Sequence, residues 1–232
     1  MKSLRTLPFV FYFISLFSLK VYSASSDSLY LVRTFHGDSF ENGALNKWGG
    51  LGDINHDGKD DFVISYSSDY WGDKHHSGYA ELYLGCDDLV NIKPSYVFKN
   101  CDFINPIGDV NNDGFDDFLV AEFDSAYSPY LMDKFKVYFG NNQMFDTIPK
   151  FTFRPSYGWM IYFIYTEKLG DINGDGYDDF AISTPYNWSN GYGKVYIFLG
   201  GKTLDEKPAL ILEDPFKSDK VHNNFGDGVT GI

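Results

Sequence analysis

One nine-residue acidic loop occurs three times, and it limits the possible folds more than any other feature of this chain. The copies read Asp53-Ile-Asn-His-Asp-Gly-Lys-Asp-Asp61, Asp109-Val-Asn-Asn-Asp-Gly-Phe-Asp-Asp117 and Asp171-Ile-Asn-Gly-Asp-Gly-Tyr-Asp-Asp179. Each follows a glycine (Gly52, Gly108, Gly170) and runs straight into an apolar segment. Oxygen-bearing side chains at positions 1, 3, 5 and 9 of such a loop can converge on one hard cation, with the carbonyl of position 7 completing the shell. Four carboxylates in one tight turn repel each other strongly unless a counter-ion sits among them. Ca²⁺ fits this donor set, because it accepts six to eight oxygens in flexible geometry, whereas Mg²⁺ holds on to its waters. No thiolate or imidazole occupies a ligand position, which argues against zinc and copper.

The expected calcium ligands, in three sites, are therefore Asp53, Asn55, Asp57, Lys59 (carbonyl) and Asp61; Asp109, Asn111, Asp113, Phe115 (carbonyl) and Asp117; and Asp171, Asn173, Asp175, Tyr177 (carbonyl) and Asp179. His56 at position 4 is not expected to ligate. Asp60, Asp116 and Asp178 at position 8 are expected to point outward or brace the turn. A twelve-residue EF-hand needs a bidentate Glu at position 12, and this chain has Ile64, Val120 and Ile182 there. A dockerin-type loop fails at the same place.

The loops begin 56 residues apart (53 to 109) and then 62 apart (109 to 171), a repeat architecture rather than a single-core fold. Each leads into Phe62-Val63-Ile64, Phe118-Leu119-Val120 or Phe180-Ala181-Ile182, runs that do not alternate with polar residues and so predict strands buried on both faces. A second apolar run in each unit ends at Gly85, Gly140 or Gly200, and a further β-prone patch follows at residues 95–98, 150–153 and 209–212. With the strand before each loop, this makes four strands per unit of about 60 residues. No helical periodicity competes. Four short antiparallel strands per repeat, apolar on both faces, predict an all-β propeller blade.

The units resemble the FG-GAP repeats of integrin α-subunit β-propellers, whose cation loop joins strands 1 and 2. The third unit carries the resemblance best, from Leu169-Gly-Asp-Ile-Asn-Gly-Asp-Gly through Ser183-Thr-Pro185 to Gly193-Lys-Val-Tyr-Ile-Phe-Leu-Gly200. The opening Phe-Gly pair is plain only at Phe225-Gly226; the earlier units have Ala44-Leu45, Asn100-Cys101 and Tyr162-Phe163 there. Such propellers close with seven blades. The resemblance covers roughly residues 29–232, here three complete units, a preceding strand 4 at Leu29 to Phe35, and a fourth unit beginning at 225. The expectation is a fragment of a longer reading frame that stops in mid-blade. The alternative is a subunit that completes its ring by self-assembly.

Residues 1–23 have the design of a secretory signal peptide: Lys2 and Arg5, an apolar core from Leu7 to Leu19, and Val21-Tyr-Ser23 before the cut. That core is too short to span a bilayer comfortably, and no second hydrophobic span follows. The mature part, 24–232, is expected to be secreted, periplasmic or associated with the cell surface. The formal net charge of −13 argues against nucleic acid or anionic membrane as a partner. Twelve of the 32 acidic residues lie in the three loops, so cation binding accounts for much of the charge. Cys86 falls in the turn between strands 3 and 4, and Cys101 falls after strand 4. A five-residue strand separates such ends by about 17 Å, beyond the ~7 Å limit for a disulfide, so no bond between them is expected.

In an antiparallel blade the 1–2 and 2–3 connections lie at opposite ends. The 2–3 connections are rich in aromatic residues: Tyr66, Tyr70 and Trp71, with His75 and His76 nearby; Tyr127 and Tyr130; and Tyr186, Trp188 and Tyr192. Rings on loops can stack on sugars or anchor a protein. The integrin resemblance implies that ligands bind on that face, so the expected partner is a protein or a glycan. Asn187-Trp-Ser189 is a glycosylation sequon. The chain has no Gly-x-Ser-x-Gly, His-Glu-x-x-His or phosphate-cradling glycine loop, so catalysis is not expected. A carbohydrate-active enzyme, or its accessory carbohydrate-binding module, is the alternative.

Overall fold

A computed structural model describes residues 10–15, 18–24, 29–36, 44–67, 78–123, 132–155, 165–184, 193–215, 225–226 and 228–231. Fifteen strands and no helix occur among them, so no helix there is long and apolar enough to cross a membrane. Strands β1 (Val10–Ser15), β2 (Ser18–Ala24) and β3 (Leu29–His36) form a three-stranded antiparallel sheet. The first of these and most of the second fall in the expected leader, whose aromatic and β-branched residues also suit strands.

Three four-stranded antiparallel sheets follow, each a simple meander and each one of the expected units. The first contains β4 (Ala44–Gly52), β5 (Asp61–Ser67), β6 (Tyr79–Tyr83) and β7 (Tyr96–Lys99). The second contains β8 (Cys101–Gly108), β9 (Asp117–Phe123), β10 (Met132–Tyr138) and β11 (Phe151–Phe153). The third contains β12 (Tyr165–Gly170), β13 (Asp179–Thr184), β14 (Lys194–Phe198) and β15 (Leu210–Glu213). These are the blades of a β-propeller, and the described sheets do not close into a ring. Cys86 follows β6 and Cys101 opens β8; both are free thiols, and Cys101 is fully buried.

The second strands are buried along both faces, as their unbroken apolar runs require: every described residue of β13 is buried, as is β9 from Asp117 to Ala121. The phenylalanine that opens each run pairs with an aromatic on strand 3, as Phe62 with Tyr83, Phe118 with Tyr138 and Phe180 with Phe198. Their rings stack at centroid distances of 4.9, 5.5 and 5.0 Å. These phenylalanines are therefore packing residues.

The cores lie between blades. Leu51, Ile54, Val63 and Leu82 of the first blade pack with Phe118, Val120 and Tyr138 of the second. Phe103, Phe135, Phe151 and Phe153 of the second pack with Phe180, Ile182 and Phe198 of the third. First strands of neighbouring blades also touch: the Lys47 ammonium lies 3.8 Å from the centre of the Phe103 ring, and Asn105 Nδ2 donates to Thr166 Oγ1 at 2.6 Å. Stacked sheets joined at their first strands place all three acidic loops at one end of the assembly.

Candidate cation loops

Each loop joins strands 1 and 2 of its blade and is closed by a glycine–aspartate pair: Gly52 with Asp61, Gly108 with Asp117, Gly170 with Asp179. A bulge just before that glycine turns the chain into the loop. The position-1 carboxylate then gathers N–H groups from the far side of the turn. Asp53 accepts from Asp57 and Gly58 at 2.9 and 2.8 Å, and Asp109 accepts from Asp113 and Gly114 at 3.0 and 2.8 Å. Asp171 accepts from Gly174, Asp175 and Gly176 at 2.7, 3.0 and 2.8 Å. The position-5 carboxylate accepts from the position-7 N–H in all three loops, at 3.0 to 3.1 Å.

Position 9 has a different environment. Asp61, Asp117 and Asp179 are fully buried, and each takes two N–H groups. One comes from position 2 of its own loop, Ile54, Val110 or Ile172, at 2.9 to 3.0 Å. The other comes from Gly85, Gly140 or Gly200 at the end of strand 3, at 2.7, 2.9 and 2.8 Å. This explains why a glycine recurs 29 to 32 residues after each loop begins. A Cβ at Gly140 would stand 2.4 Å from the Asp116 carbonyl oxygen and 2.5 Å from that of Ile54, so no side chain fits.

Asp171 and the position-9 aspartates are shifted in opposite directions. N–H donation, led by Gly176, holds Asp171 below the usual carboxylate range. Burial does the opposite at position 9, pushing Asp61 up to about 7 and Asp117 up to about 8, and raising Asp179 as well. Without a counter-ion, the buried carboxylate is driven to hold a proton that a cation would replace.

Position 8 links the blades, a role that the loop spacing alone does not disclose. Asp116 Oδ2 accepts the N–H of Asp53, position 1 of the preceding loop, at 3.0 Å, while its own N–H donates to the Asp53 carbonyl at 3.3 Å. Asp178 repeats this with Asp109 at 3.0 and 3.2 Å, and Lys168 Nζ lies 2.7 Å from the same carboxylate oxygen. Gly52 and Gly108 must be glycines for this reason. Their φ values are +79° and +85°, and a Cβ there would stand 2.1 or 2.2 Å from the stapling carboxylate oxygen. The signal available in the sequence was the recurrence of Asp at position 8 with Gly just before position 1.

Among the described residues, no three acidic, imidazole or thiol side chains converge closely enough to hold a metal ion. The oxygens are engaged by the N–H groups of the loop itself. One acceptor is left over: Asn111 Oδ1 is buried and has no hydrogen-bond partner, whereas Asn55 Oδ1 and Asn173 Oδ1 accept from position 5 at 3.2 and 3.0 Å. An orphaned oxygen at position 3, in a turn lined only with oxygen donors, fits a hard cation. The expected ligand-face residues Tyr70, Trp71, Tyr127, Tyr130, Tyr186, Trp188 and Tyr192, with His75 and His76, lie outside the described residues. The strands flanking them end opposite the acidic loops, but Tyr66, expected in the first connection, lies in β5 instead, where it is buried and its hydroxyl donates to Glu81 Oε2 at 3.2 Å.

Residues 109–182, spanning the second and third loops, match the model of the FG-GAP-like repeat family. The chain is similar to mouse integrin alpha-8, at 31% identity over 134 residues, covering 54% of this chain and 12% of that protein. It is 62% identical to Drosophila melanogaster integrin alpha-PS2 over 66 residues, 27% of this chain and 5% of the relative. A longer match, to Xenopus laevis integrin alpha-5, is 24% identical over 188 residues and covers 78% of this chain and 18% of the relative. The chain thus spans less than a fifth of the length of each of these relatives. With the meander blades and the loop between strands 1 and 2 in agreement, residues 109–182 are FG-GAP-like repeats, and the chain resembles integrin α-subunits over part of their length.

Proposed function

We propose that this chain is part of an extracellular recognition module whose blades are stiffened by three Ca²⁺ ions and whose opposite face binds a protein or glycan without catalysis. The observation that carries this reading is the threefold recurrence of one hydrogen-bonded acidic loop at equivalent places in three blades. In each loop the side chains of positions 1, 3, 5 and 9 and the carbonyl of position 7 hold the ion. The ion would neutralise carboxylates that otherwise repel one another, which makes its binding part of folding. The similarity to integrin α-subunits supports adhesion as the use of such a module.

The aromatic 2–3 connections supply the recognition face. Wells coated with the full chain should retain cells in Ca²⁺, and Trp71→Ala with Trp188→Ala should cut retention at least about tenfold, the scale of an aromatic hot spot. Retention unchanged by both substitutions would remove the recognition role from this face. Turnover of a polysaccharide by the same preparation would replace adhesion with an enzymatic function.

Export follows from the leader-like residues 1–23. Edman sequencing of the chain recovered from the medium of a secreting host should begin at residue 24. A product that retains Met1 would mean that β1 and β2 belong to the working protein, with no leader removed.

A further inference from the structure

We propose that Asp116 and Asp178 are positioning residues that couple neighbouring cation loops, so that an ion in one loop tightens binding in the next. The inference rests on the calcium reading above. Its own basis is the pair of reciprocal hydrogen bonds at each junction: position 8 of one loop both accepts from and donates to the backbone of position 1 of the preceding loop.

The placement makes coupling direct. Asp178 is bonded covalently to Asp179, a ligand of the third loop, and by hydrogen bonds to Asp109, a ligand of the second. An ion that fixes Asp179 also fixes Asp178, which then holds the Asp109 backbone where its carboxylate can gather Asp113 and Gly114. The ordering entropy of the second loop is partly met before its own ion arrives, which is positive cooperativity without any large movement. The same chain of bonds runs from Asp117 through Asp116 to Asp53. The turn after strand 3 reinforces the junction between the second and third blades, since the Gly201 N–H of the third blade donates to the Val110 carbonyl of the second at 2.7 Å. By linkage the coupling is mutual. The first and third loops share no such junction among the described residues, so they should be nearly independent.

The third loop alone has a tyrosine at position 7, and Tyr177 can sensitise Tb³⁺ luminescence from an ion bound there. The test is a Tb³⁺ titration of the full chain, with Tyr177→Phe assigning the signal to that loop. Disabling the second loop with Asp113→Ala should weaken Tb³⁺ binding at the third loop about fivefold, the low end of measured couplings. Disabling the first loop with Asp57→Ala should change it less than about twofold, and Asp178→Ala should abolish the response to Asp113→Ala. Asp178→Asn, which keeps an acceptor oxygen, should restore most of that response.

Several results would overturn the proposal: no effect of Asp113→Ala, an equal effect of Asp57→Ala, or a response that survives Asp178→Ala. The first two comparisons use a native Asp178 and hold even if the alanine variant at that position does not fold. No saturable Tb³⁺ signal in the wild-type chain would defeat the calcium reading itself. Binding without coupling would defeat only this inference.

Discussion

Removing calcium from the purified full chain should lower its melting temperature by roughly 15–30 °C, and Ca²⁺ should restore it where Mg²⁺ does not. Three sites, each held at a hundredfold excess over its Kd, add about 8 kcal/mol together, and each kcal/mol moves the midpoint about 2–4 °C in a chain of this size. The size of the drop should also depend on pH. Burial keeps the folded pKa of Asp61 near about 7 and that of Asp117 near about 8, against 3.8 for an ordinary aspartate. At these two groups the metal-free folded chain holds protons that the unfolded chain releases, so their contribution to its stability is largest below about pH 4 and falls as the pH rises toward about 8. A bound ion takes the place of those protons, so the gap between calcium-loaded and chelated chain should widen over the same range. Differential scanning fluorimetry at pH 5 and pH 8, with and without chelator, measures both effects. Melting curves that overlay in excess chelator at both values would refute the structural role of the cation.

The second large effect should come from the blade interface. Phe118→Ala removes a fully buried ring that stacks on Tyr138 and meets Phe145 edge-on at 5.2 Å, in a core shared with Leu51 and Ile54 of the preceding blade. Such truncations cost about 3–5 kcal/mol, or roughly 6–20 °C in melting temperature. Ile148→Ala, at a side chain 78% exposed, should shift it by less than about 2 °C. Thermal unfolding followed by intrinsic fluorescence measures both. Equal, small shifts for the two variants would mean that the blades do not pack as described.

Much of this architecture was legible in the chain itself because two local rules agree. The spacing of Asp and Asn oxygens, with a glycine at position 6, encodes a tight acidic turn, and an unbroken apolar run encodes a strand buried on both faces. Neither rule depends on distant residues, so four strands per unit and the loop between strands 1 and 2 could be read directly. The FG-GAP resemblance added only the expectations of a seven-bladed ring and of ligand binding on the face opposite the loops.

The role of position 8 was not legible, and neither was the split among the aspartates. Asp57, Asp60 and Asp61 look alike in sequence, yet Asp61 is buried under two N–H donors while Asp57 and Asp60 stay exposed. The difference comes from Gly85, 24 residues further on, whose N–H reaches Asp61 only after strand 3 has folded back. The staples from Asp116 to Asp53 and from Asp178 to Asp109 span 63 and 69 residues, and only the stacking of one blade on the next brings them together. The sequence by itself determined the local chemistry: which turns are acidic, which strands are apolar, and where each unit repeats. Only the tertiary structure decided which carboxylates are buried, which glycines make room for a neighbouring blade, and which loops are joined. Those properties arise where strand 3 folds back on its own loop and where one blade meets the next, so residues 24 to 69 positions apart must first be brought together.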